Sequence, residues 1–194
     1  AWDGTLPKFS VIKSFFEFLN RELKAHKPEI ILSADLFGYI AIQAGDAGVG
    51  QRLEDLGGSF DYISLMVYPS HYYHGLSLPE DAAKNLPAVS FTPHETRAHP
   101  DIVVERTLRI ARDFFDGVSA TSTTATIAVQ KKKPSVRLRP WLEDFFHEED
   151  KTAGRPWGAE KVRMQIDAAE RVERHGWILW NSSNIYTETA LRKE

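Results

Sequence analysis

The residues best able to do chemistry stand at the ends of four apolar segments. Asp35 follows Ile30-Ile-Leu-Ser-Ala34. Tyr68 closes FDYISLMVY and is followed by Pro69, Ser70 and His71. The segment RLRPWLED carries Arg137, Arg139, Trp141, Glu143 and Asp144. Trp180-Asn181 ends WILWN. A carboxylate at the end of a buried strand is partly desolvated, and it then serves as nucleophile, acid or base unless a partner claims it. Tyr, His and Trp have an apolar face and a polar edge, which suits hydroxyl-rich ligands. Each has an ordinary alternative. Asp35 could cap the next turn, Tyr68 could be a satisfied core residue, and Asp144 could sit in a structural pair with an arginine. His74 reads as a plain loop residue.

Other chemistries lack their signatures. The histidines have no H-E-x-x-H spacing, and no cysteine is present, so a metal site is not expected. No G-x-S-x-G elbow, G-x-G-x-x-G turn or G-K-[ST] phosphate loop occurs, and no cofactor is expected. The 24 basic and 27 acidic residues leave a net charge of -3, which argues against nucleic acid as a partner. No run reaches the roughly 18 apolar residues of a membrane span. Carboxylates, aromatic platforms and an amide, with neither metal nor phosphate loop, fit sugar chemistry. Glycoside hydrolysis uses two carboxyl groups flanking an oxocarbenium-like transition state.

Elements that could position these residues follow from periodicity. Apolar residues at helical spacing predict helices over 8–25, 101–115 and 159–175, and a short one near 51–56. Strands are expected at 30–34, 60–68, 136–141 and 177–180. Alternation places Tyr62, Ser64, Met66 and Tyr68 on one side of the second strand, and Ile63, Leu65 and Val67 on the other. Arg137, Arg139 and Trp141 share a side of the third, where Arg139 could hold a carboxylate ionised. Residues 69–100 and 144–158 read as loops, 117–135 as a flexible insert, and the C-terminus as a short helix. Helices alternating with apolar strands predict an α/β protein with a parallel sheet. The long polar loops follow the strands, which suits either the active face of a (β/α)8 barrel or the carboxyl edge of an open sheet. A chain of 194 residues suits one domain.

Five ordered motifs carry a resemblance: LSADLFG, VGQRLED, FDYISLMVYPSHY, RPWLEDF and WILWNSSNIYT. They resemble a bacterial family of glycoside hydrolase-like domains of formally unknown function, over about Asp3 to Ala190. The resemblance implies a TIM barrel distantly akin to α-amylase-like enzymes, with this chain as its last four βα units. It implies a carbohydrate substrate, and as a further partner the N-terminal half of the barrel or a second copy. It places the 117–135 insert on the barrel's amino-terminal side. Carried over by position, Asp35 and Asp144 would be the catalytic carboxylates. Tyr68, His71, Arg139, Trp141, Glu143, Trp180 and Asn181 would contact substrate. Two positions depart from the family pattern: Leu65 stands where Pro is frequent, and Glu143 where Gln is frequent. Three roles follow as expectations: a glycoside hydrolase domain, a non-catalytic carbohydrate-binding barrel, or a dimerising half-barrel scaffold.

Overall fold

The computed structural model describes residues 4–43, 45–117, 136–145, 147–152, 154 and 157–191. The expected insert therefore lies, from residue 118 on, outside the described residues. The chain forms two compact units, one from residues 1–66 with 107–139, the other from 67–106 with 140–194.

The first unit opens with helix α1 (Lys8–His26). Strand β1 (Ser33–Phe37) and strand β2 (Tyr62–Val67) pair in parallel, with Ala34 opposite Ile63 and Asp35 opposite Ser64. The short helix α2 (Leu53–Leu56) lies between them in sequence. Asp61 sets the start of the pairing. Its carboxylate accepts from the Leu32 N–H and from Lys24 Nζ, both at 2.9 Å. The Leu32 N–H first, and Lys24 next, hold this carboxyl below its usual range. The core of this unit includes Leu36, Leu56, Ile63, Leu65, Leu108 and Phe115, all nearly or fully buried. Gly57 is required there, because a Cβ would lie 2.2 Å from the Phe115 ring.

Strand β1 begins three residues later than the apolar run Ile30-Ile-Leu suggests. Asp35 is consequently mid-strand rather than at its end. The expected strand at 136–141 is broken as well. Strand β5 (Arg137–Leu138) pairs in parallel with β2, whereas strand β6 (Trp141–Glu143) belongs to the second unit. Pro140 stands in the break; it has no N–H to give a ladder.

In the second unit β6 pairs in parallel with strand β7 (Ile178–Trp180), with Glu143 opposite Trp180. Helix α6 (Ala159–Val172) connects them and buries Val162, Gln165, Ile166 and Ala169. The stretch expected to be a loop holds more structure. A hairpin pairs strand β3 (Leu76–Leu78) with strand β4 (Val89–Phe91), and helix α3 (Pro93–Ala98) follows it. Thr92 and Glu95 close a capping box at the start of α3. Helix α4 (Pro100–Asp116) carries Arg106, which donates to the carbonyls of Pro79 at 2.7 Å and Pro87 at 2.5 Å and ties down the hairpin connection. Helix α5 (Glu148–Thr152) occupies the other expected loop. The expected C-terminal helix is a single 3-10 turn, Glu188–Ala190. Parallel strands joined through helices make this an α/β protein.

Candidate functional site

Seven of the nine candidate residues fall in the second unit: Tyr68, His71, Trp141, Glu143, Asp144, Trp180 and Asn181. Asp35 and Arg139 fall in the first. Within the first, Asp35 is exposed and shares its side of β1 with Ser33. The Arg139 guanidinium lies 4.7 Å from the centre of the Tyr62 ring, a cation–π position, and Arg137 donates to the Tyr62 hydroxyl at 3.2 Å. Arg139 reads in the sequence as able to hold a carboxylate. Its guanidinium faces an aromatic ring, and among the described residues its buried Nε has no hydrogen-bond partner.

The second unit brings its candidates together at the carboxyl end of β6. The β6 backbone is locked first. Glu143 N donates to Gln165 Oε1 at 3.0 Å, and Gln165 Nε2 donates back to the Glu143 carbonyl at 2.8 Å. Trp157 Nε1 donates to the same carbonyl at 3.3 Å. Both Glu143 and Gln165 are wholly buried. A buried amide side chain can satisfy a strand's N–H and C=O together.

Successive residues on a strand point to opposite sides, so Glu143 and Asp144 serve different neighbours. Glu143 Oε2 accepts from the Ser70 N–H at 2.9 Å, and Oε1 meets His147 Nε2 at 2.5 Å. Asp144 turns to the chain after β7. It accepts from Thr187 N and from Thr187 Oγ1, both at 2.7 Å. Its backbone N–H donates to the Trp180 carbonyl at 3.0 Å, and its carbonyl accepts from Asn181 Nδ2. Asn181 also turns its own loop, accepting from Ser183 N at 2.8 Å. These bonds give Asp144 and Asn181 a joint task, fastening residues 181–187 to the end of β6.

A cluster of rings includes His147, the partner of Glu143. Tyr68 meets His71 edge-on at 5.1 Å and Phe145 edge-on at 5.6 Å. His71 stacks on Tyr73 at 5.7 Å, and Tyr73 is 69% exposed. His147 lies between Phe145, at 5.2 Å, and Trp157, at 6.1 Å. Burial lowers the His71 imidazole below its ordinary value. The charge of Glu143 opposes this and that of His147 adds to it. Trp141 and Trp180 meet edge-on at 6.1 Å, with Trp180 43% exposed. Sequence reasoning missed His147, Phe145, Trp157 and Gln165. Only His147 had a legible signal, its i+4 spacing from Glu143, and that signal was lost in a stretch expected to be a loop.

The family model described as "Putative glycosyl hydrolase domain" matches residues 3–186. The chain belongs to this family. No curated protein matches it. Among solved structures, the chain is similar to the glycoside hydrolase domain of PgaB (BpsB) from Bordetella bronchiseptica, with a TM-score of 0.50 and 14% identity. The similarity covers 90% of this chain and 37% of that one. At such identity the likeness is one of fold, and it agrees with the parallel strands and connecting helices. Among the described residues no helix is long and apolar enough to cross a membrane.

Proposed function

We propose that this family member acts on a polysaccharide or oligosaccharide as part of a (β/α)8-type glycoside hydrolase domain. The observation that carries the reading is the end of β6, where the buried carboxylate of Glu143 bonds His147, a member of a ring cluster with Phe145, Trp157, His71 and Tyr68. Rings with polar edges beside a held carboxylate are what sugar recognition and acid–base work at an acetal require. Tyr68, His71, Trp141 and Trp180 are proposed as substrate contacts. Asp144 remains a proposed carboxylate of this site, and Asp35 one of the first unit, each on its position in the sequence. The test is product release from a panel of polysaccharides, compared among the unsubstituted protein, Glu143→Gln, Asp144→Asn and Asp35→Asn. Release that falls with any of these substitutions supports the reading; neither release nor binding of any glycan defeats it.

A second reading is a carbohydrate-binding domain without hydrolysis. It is favoured by Asp144, both of whose carboxylate oxygens are committed to Thr187. It predicts glycan binding, without product release, that survives Asp35→Asn and Asp144→Asn.

A further inference from the structure

Glu143 is wholly buried, whereas the His147 side chain is 20% exposed. Of this pair, the imidazole is the member that can meet a molecule arriving from solution. The carboxylate is fixed from two directions, by Ser70 N–H on Oε2 and by His147 on Oε1. Gln165 holds the peptide groups on either side of it. A carboxylate so immobilised is a rigid acceptor. It keeps the proton of the neutral imidazole on Nε2 and makes Nδ1 the basic nitrogen. It also stabilises the imidazolium when Nδ1 takes a second proton. Phe145 and Trp157 both pack near the ring.

We propose that His147 is the proton-transferring group of the second unit, acting on a hydroxyl group of a saccharide or of water, and that Glu143 is its positioning residue. The saccharide part rests on the hydrolase reading; the His–carboxylate pair does not. In the forward step the O–H bond breaks, its electron pair stays on oxygen, and the proton forms an N–H bond at Nδ1. The reverse step returns that proton to an oxygen, so nothing else is consumed. The His147 imidazole meets Glu143 of β6 through Nε2, and its charge also acts on His71, in the turn after β2. Burial lowers the His71 imidazole below its ordinary value, and Glu143 is bonded to the His147 imidazole directly.

The test records side-chain nitrogen–proton spectra of the histidines between pH 5 and 8.5. In the unsubstituted protein, neutral His147 is expected to carry its proton on Nε2. In Glu143→Gln its titration midpoint is expected to fall by about 1–3 pH units, as loss of an adjacent opposite charge dictates. A proton on Nδ1 in the unsubstituted protein overturns the proposal even if the variant does not fold. So does a midpoint that Glu143→Gln leaves in place. Where a glycan is cleaved, His147→Gln is expected to cost about 10²–10⁴-fold in kcat. It should also remove the limb of the pH profile that follows the His147 midpoint, and a surviving limb overturns the proton-transfer role. Absence of turnover in the unsubstituted protein overturns the hydrolase reading and that role together, while the spectra decide the pair independently.

Discussion

Asp35 and Glu143 are both carboxylates on parallel strands, and their surroundings are opposite. Asp35 stands on the exposed side of β1. Glu143 stands on β6 with no exposure, and protein donors take both of its oxygens. Water can replace almost any partner that Asp35 loses. Nothing replaces the partners of Glu143, so its surroundings are coupled to it and respond when it changes. In sequence the two looked alike, each an acid beside an apolar run. Their difference is one of desolvation, and desolvation sets both stability and reactivity.

The comparison is strained most by removing the buried acid. Glu143→Ala should lower stability by about 3 kcal/mol, since it leaves the Ser70 N–H and the His147 ring without their buried acceptor. The midpoint of urea unfolding measures this, and an unchanged midpoint would mean that water reaches the cavity. Next comes Asp144→Ala, with an expected loss of about 1–2 kcal/mol as two bonds to Thr187 disappear. Hydrogen exchange at the Thr187 amide should accelerate with it; unaltered exchange would show that another contact holds that loop. A smaller effect comes from acid. Burial sets the folded value of His71 below its unfolded value of 6.5, so the unfolded chain binds the proton more readily. Stability contributed by neutral His71 is therefore complete above pH 6.5 and is lost as pH falls from there toward the lowered folded value. His71→Gln should flatten that part of the pH dependence, and an identical slope in both proteins would count against it. The smallest effect belongs to Asp35→Asn, expected to stay within about 0.5 kcal/mol. A larger change would mean that Asp35 is not the solvated acid that its exposure indicates.

Long elements were legible in the sequence. The apolar positions of α1, α4 and α6 recur at helical spacing, and each helix was placed to within about three residues of its ends. The buried side of β2 was equally plain: Ile63, Leu65 and Val67 are all without exposure. The misses have local causes. Strands β3 and β4 have three residues each, too few to display alternation. Helix α3 did announce itself, through the Thr92-Pro-His-Glu95 capping pattern in a stretch otherwise rich in loop residues. The start of β1 follows from the Asp61 bonds to Leu32 and Lys24, which no local pattern displays.

The sequence by itself determined the α/β class, the three long helices, the buried face of β2 and the family. All of these rest on patterns within one segment or on ordered motifs along the chain. It also singled out the segment Trp141–Asp144 as chemically dense. Only the tertiary structure decided what those residues do. Glu143 gains its character from Ser70, 73 positions away, and Asp144 from Thr187, 43 positions away. A carboxylate's reactivity depends on which donors reach each oxygen and on how much water remains. Both are properties of what the folded chain places around it, and neighbours in sequence do not encode them.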